Sequence, residues 1–230
     1  GEPDGNRAVL EDLHAVTTLT KQLYPGVPYF LLGHSMGSYL LRRYLSVYGG
    51  GLSGSVIIGT GANPDAVAKL GMAVCKAIAA FKGWKYRSPF MEKLFFSGDF
   101  QKFDMDGTHP ENSWLTKDTE IVRFYYSEPR CTFKFTLKAY YDFLKTVYYV
   151  NRKENVEKIP KDLPILMVAG DCDPVGEFGK AVKRVYEMYK AAGINDVTLK
   201  LYENDRHEIL NEMDKERVFD DIFNWCESRR

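Results

Sequence analysis

The sequence predicts an α/β protein: a parallel sheet of about four strands, flanked by helices and carrying a helical insertion. Three observations lead there. Short, wholly apolar runs alternate along the chain with stripes of helical spacing. Each run is strand-length and is bounded by glycine, proline or polar residues, as in strands buried on both faces. One interval, from Thr60 to Pro164, is roughly 100 residues long, far beyond the dozen or few tens that a crossover between parallel strands needs.

Residues 7–23 open the series with Val9, Leu10, Leu13, Val16, Leu19 and Leu23 on a helical stripe, ended by Tyr24-Pro25-Gly26. Pro28 to Gly33 reads as the first buried strand. A helix from Met36 to about Tyr48 follows and is closed by Gly49-Gly50-Gly51. Ser55 to Ile58 is the second strand, and Ile165 to Ala169, introduced by Pro164, is the third. Val197 to Tyr202 alternates Val197, Leu199 and Leu201, the pattern of a strand near an edge. A helix around 177–191 separates the last two strands. A final helix covers about 214–228, with Val218, Ile222, Phe223 and Trp225 in its apolar set.

The long interval is rich in helix signals. Asn63-Pro64-Asp65 reads as a helix start with Pro at the first helical position. Val67, Leu70, Val74, Ile78 and Phe81 then line one face, and Gly83 stops the helix. Ser113 to Asp118 opens another segment and Phe135 to Val150 a third. The predicted division is a core of residues 1–62 and 160–230 with an insertion at 63–159. Residues 81–149 hold 19 of the chain's 32 aromatic side chains (3 Trp, 15 Tyr, 14 Phe), a density that suits an apolar or aryl ligand as well as the insertion's own core.

Composition narrows the function. The chain has 31 Lys+Arg against 31 Asp+Glu, which argues against a nucleic-acid partner, and no basic block suggests a membrane tether. No apolar run reaches transmembrane length. The four cysteines have no metal-ligand spacing and read as free thiols of a cytoplasmic protein; no metal or cofactor is implied.

The chemistry begins at Gly-His-Ser-Met-Gly, residues 33–37. A buried strand ending in Gly-x-Ser-x-Gly and followed at once by a helix is a nucleophile elbow. The turn is tight enough to require that the residues two before and two after Ser35 lack side chains. It lifts the Ser35 hydroxyl clear of the sheet and sets it at a helix N-terminus, where the Met36 N–H can hold a developing oxyanion.

A serine hydroxyl needs a base. His34 lies inside the elbow, His14 in mid-helix among acidic surface residues, and His109 in a polar loop of the insertion. His207 follows the fourth strand, on the carboxyl edge where ligand sites of open α/β sheets collect. The supporting acid is Asp171 or Asp173, both just past the third strand, with Asp205 a poorer contender two residues from the base. Either order gives Ser, Asp, His along the chain.

Together "GHSMGS", "DLPILMVAGDCDPVGEFGK" and "LYENDRHEILNE" resemble α/β hydrolases of the monoacylglycerol lipase and lysophospholipase-like group, and "SWLTKD" resembles a segment of their insertion. The resemblance spans nearly the whole chain. It implies Ser35 as nucleophile, His207 as base and, because the family's acid lies three residues after a strand-terminal glycine, Asp173 counted from Gly170. The insertion corresponds to the family's cap. The implied substrate is a carboxylic ester, lipid-like, of monoacylglycerol or lysophospholipid type. A serine peptidase or other acyl-transfer enzyme is the rival reading, and a non-catalytic binding protein with a relic elbow is another. Such proteins ordinarily begin with four more strands and a His-Gly element that supplies a second oxyanion donor. Neither is in this sequence, so the expected core is the C-terminal half of the sheet. A missing N-terminal half, another chain or self-association is expected beside the strand at Tyr29–Leu32.

Overall fold

The computed structural model describes residues 4–230. Four parallel strands form one sheet in the order β1-β2-β3-β4, which is also their order in the chain: β1 (Phe30–His34), β2 (Gly54–Ile58), β3 (Ile165–Gly170) and β4 (Val197–Tyr202). All residues of β2 and β3 are buried, as their unbroken apolar runs require. β4 is partly exposed along its middle, as an edge strand.

Side chains of the central strands alternate between two apolar layers. Ile57 and Met167 point to the layer formed by α1 (Gly5–Leu23), α2 (Met36–Tyr48) and α8 (Lys180–Ala191), where they meet Leu10, Leu45 and Tyr189. Val56, Ile58 and Val168 point the other way, to Val218 and Trp225 of α9 (Lys215–Glu227). The sheet is therefore a middle layer between helices.

Between β2 and β3 run α3 (Asp65–Lys82), α4 (Pro89–Phe95), α5 (Thr119–Ser127), α6 (Leu137–Val150) and α7 (Lys153–Val156). Cys75, Ala79, Met91, Leu137, Tyr140 and Leu144 form a buried cluster separate from the sheet's two layers. Both ends of this interval are fastened to α2 by one side chain. Arg42, 1% exposed, donates to Thr60 Oγ1 and the Gly61 carbonyl at the entry, and to the Val150 carbonyl and Asn151 Oδ1 at the exit.

Several expectations need correction. Pro64 is not the first helical residue of α3 but its N-cap, because its ψ of 142° lies outside the helical range. The stripe predicted on α3 is split: Val74 and Ile78 are half-buried against the insertion's cluster, and its other members face solvent. Val67, Leu70 and Phe81 are exposed, while Ala68, Gly71, Cys75 and Ala79 are buried. Only small residues allow the close approach of α6, since a Cβ on Gly71 would lie 2.8 Å from Leu144 Cδ1. In α1 the predicted stripe is likewise divided, with Leu10 alone of its members buried. Asn6, Leu10 and Thr17 are buried, and Val9, Leu13, Val16, Leu19 and Leu23 are exposed. β1 is half-buried rather than wholly buried, with Leu32 exposed, because it pairs on one side only, with β2. α8 begins at Lys180, not 177, because Glu177, Phe178 and Gly179 all take positive φ and cannot be helical. His14 is not a free surface group. Its Nδ1 lies 3.1 Å from the Tyr44 hydroxyl and its ring stacks on Tyr48 at 3.9 Å.

Candidate active site

Ser35 stands between β1 and α2 with φ 53° and ψ −122°, a conformation rare for a residue with a side chain. It is held there by the sheet: its N–H donates to the Ile58 carbonyl at 3.0 Å, one step past the last β1–β2 pair. Gly33 is required, since a Cβ there would lie 2.5 Å from the Gly37 carbonyl oxygen. The expectation that Gly37 must also lack a side chain is corrected, because a Cβ at that position meets nothing within 4 Å. Met36 is the first residue of α2, so its N–H is among the donors that a first helical turn leaves without an intrahelical partner.

His207 and Asp173 meet across the same edge of the sheet. His207 Nδ1 lies 2.9 Å from Asp173 Oδ2, and the two residues are 1% and 0% exposed. The other oxygen, Oδ1, accepts the Val175 N–H at 2.8 Å, which fixes the carboxylate. Nδ1–H therefore donates to the carboxylate, and Nε2 is left with a lone pair. Nε2 is buried and has no hydrogen-bond partner among the described residues.

The competing acids have other tasks. Asp171 Oδ1 accepts the Asn204 N–H at 2.8 Å and does not touch the imidazole. Asp205 is buried and accepts from Lys117 Nζ at 2.7 Å, while burial raises its pKa above the usual carboxylate value. His109 is an exposed side chain 3.6 Å from Glu111.

Three residues that hold His207 were not singled out as site residues. Gly59 follows β2 directly with φ 57°, and a Cβ there would lie 3.1 Å from His207 Cε1. Gly170 makes room for the following loop, since its Cβ would lie 2.0 Å from the Asp205 carbonyl oxygen. His34 reaches from the elbow to that loop, with Nε2 3.1 Å from the His207 carbonyl oxygen. Burial first, then the nearby His207, lower the His34 pKa to about 4, so the ring is neutral and its Nε2–H can donate. Glycines at or just beyond the ends of buried strands were the available signal for the first two; nothing in the spacing pointed to His34.

A family model described as serine aminopeptidase, S33, matches residues 1–214. The chain belongs to this family. This hydrolase is 26% identical over 223 residues to a monoacylglycerol lipase of Mycolicibacterium smegmatis, an alignment covering 95% of this chain and 69% of the relative. It is 26% identical over 243 residues to the monoglyceride lipase of Homo sapiens, covering 100% of this chain and 70% of that protein. Among solved structures it superimposes on a thermostable carboxyl esterase from Bacillus coagulans with a TM-score of 0.85 and 29% identity, over 96% of this chain and 71% of the esterase. A monoglyceride lipase variant from Saccharomyces cerevisiae, at 23% identity and a TM-score of 0.72, shares the fold over 96% of this chain and 69% of its own. The α/β-hydrolase fold and the likeness to monoacylglycerol lipases that the motifs suggested are both established by these matches. No helix among the described residues is long and apolar enough to cross a membrane.

Proposed function

We propose that this hydrolase cleaves carboxylic esters of lipid-like substrates, of monoacylglycerol or lysophospholipid type, through Ser35, His207 and Asp173. The observation that supports this most is the buried His207–Asp173 pair, whose free Nε2 lies on the sheet edge where the strained Ser35 turn ends β1. His207 Nε2 takes the Ser35 proton as Oγ attacks the ester carbonyl carbon. The Met36 N–H donates to the oxyanion. Collapse of the tetrahedral intermediate breaks the bond to the alcohol, which leaves with the proton from His207. Water then attacks the acyl-enzyme with His207 again as base, and the acid is released. Asp173 holds Nδ1–H throughout and stabilises the imidazolium. Ser35 Oγ and Nε2 are not hydrogen-bonded here; such contacts commonly tighten when substrate binds.

Residues 63–159 act in this reading as a cap. Phe96 and Phe100 pack on Trp114, whose ring covers His207, so the approach to the base is apolar, as an acyl chain requires. The description of the matched family favours one second reading, an aminopeptidase using the same groups.

A fluorophosphonate probe and a panel of p-nitrophenyl esters and aminoacyl amides test both. Labelling at Ser35, ester turnover and its loss by about 10⁴-fold or more in Ser35→Ala are expected. Preference for amides would turn the reading to peptidase. A folded protein that neither labels nor turns over would be a binding protein with a relic elbow.

A further inference from the structure

We propose that Trp114 is the positioning residue that sets the plane of the His207 imidazole, so that the cap, and not the sheet alone, holds the catalytic base. This rests on the function proposed above. The indole, in a residue 8% exposed, stacks on the imidazole with centroids 5.0 Å apart and planes 30° apart. Asp173 fixes Nδ1, which leaves the ring free to swing about that bond; a flat partner on its face removes this freedom. The ring is bounded elsewhere by Gly59 and by His34, whose centroid is 4.7 Å away.

The backbone follows the same plan. The Trp114 carbonyl accepts the His207 N–H at 3.3 Å, and the Leu115 carbonyl accepts the Glu208 N–H at 2.7 Å. Arg206 donates to the carbonyls of Ser113 and Thr116, and Thr116 Oγ1 donates to the Asn211 carbonyl at 2.9 Å. Lys117 Nζ pairs with buried Asp205 at 2.7 Å, and buried Glu212 accepts the N–H groups of both Lys117 and Arg206. Residues 113–117 of the insertion and 205–212 of the core are thus one clasped unit.

The indole also meets the cap's aromatic cluster. Phe100 lies 5.3 Å from it edge-on and Phe96 6.0 Å from it. An acyl chain that displaces these rings would shift the surface on which the base rests. When His207 takes the Ser35 proton, the indole face also stabilises the resulting cation. Loss of the indole therefore acts on turnover rather than on binding.

The test compares Trp114→Ala, Trp114→Leu and Trp114→Phe on p-nitrophenyl acetate, whose acyl group is too short to need the cap. Both Ala and Leu should lower kcat roughly 3- to 30-fold with KM changed less than about two-fold, and Phe should restore most of the loss. Leu keeps apolar bulk, so it covers the case in which Ala does not fold. The low-field proton resonance of the His207 Nδ1–H bonded to Asp173 should broaden in Ala and Leu and stay sharp in wild type and Phe. Unchanged kcat and an unchanged resonance in Trp114→Leu would overturn the proposal, as would a defect confined to KM for long-chain esters. Were the wild type to hydrolyse no ester, the function above would fall and the resonance alone would decide whether Trp114 orders the ring.

Discussion

The central strands and the first insertion helix dispose of their large apolar side chains in opposite ways. In β2 and β3 every such residue is buried, half on one face and half on the other. In α3, Leu70 and Phe81 are 65% and 90% exposed, Met72, Val74 and Ile78 are only half-buried, and the fully buried face is built from Ala68, Gly71, Cys75 and Ala79. A sheet covered on both faces has no exposed side to choose. A helix has one, and its packing is set by how closely its neighbour must come. α6 approaches so closely that only small residues fit beneath it.

That contrast can be broken experimentally. Ile57→Ala, at a fully buried position of β2, should cost about 2–5 kcal/mol in urea denaturation. A loss below about 1 kcal/mol would mean that the sheet core is looser than its burial indicates. Acid should separate the regions next. His34, at the end of β1, is buried with its pKa lowered to about 4, so between about pH 6.5 and 4 the unfolded chain binds a proton that the folded chain does not. Stability should therefore fall as the pH drops through that window, by up to about 3 kcal/mol. Asp205, raised by burial, works in the opposite direction, so the readout is the difference between wild type and His34→Gln, whose pH slope should be flatter. The buried titratable group of α3, Cys75, has its pKa pushed up to about 11 and contributes nothing in acid. The smallest effects lie within α3 itself. Gly71→Leu should cost about 1–3 kcal/mol by forcing α6 away, whereas Leu70→Gln, one residue before it, should stay within about 0.5 kcal/mol. Equal effects at 70 and 71 would show that α3 packs by its large residues after all.

Legibility in the sequence followed the same division. The first three strands were readable because a buried parallel strand leaves an unbroken apolar run, the fourth from the alternation of an edge strand, and Ser35 because its turn needs Gly33. Of the insertion's helices α3, α5 and α6 were signalled in the sequence, the short α4 and α7 were not, and neither was the facing of α3 and α1. Periodicity reports that an apolar stripe exists and is silent about which surface, if any, covers it. Leu32 of β1 and most of the α1 stripe are exposed, which no local pattern announced.

At the site, residue types and order were sufficient to nominate Ser35, His207 and a carboxylate at Asp171 or Asp173. Chemistry restricts a nucleophile, a base and an acid to few side chains, and the carboxyl edge of the sheet restricts where they emerge. The choice of Asp173 over Asp171 rested on a family likeness; in the structure Asp173, not Asp171, bonds His207, because the turn after Gly170 aims its side chain inward and gives Asp171 to the Asn204 N–H. Trp114 belongs wholly to the tertiary structure. It lies in the Ser113–Asp118 segment that the resemblance marked, but it is far from His207 in the chain and nothing local shows that the two rings meet. By itself the sequence determined the strands, the elbow and the set of reactive groups, since these depend on backbone sterics and on intrinsic chemistry. Which faces meet, and what rests against the imidazole, were decided by packing between distant segments, because the energy of such contacts exists only once both surfaces are formed.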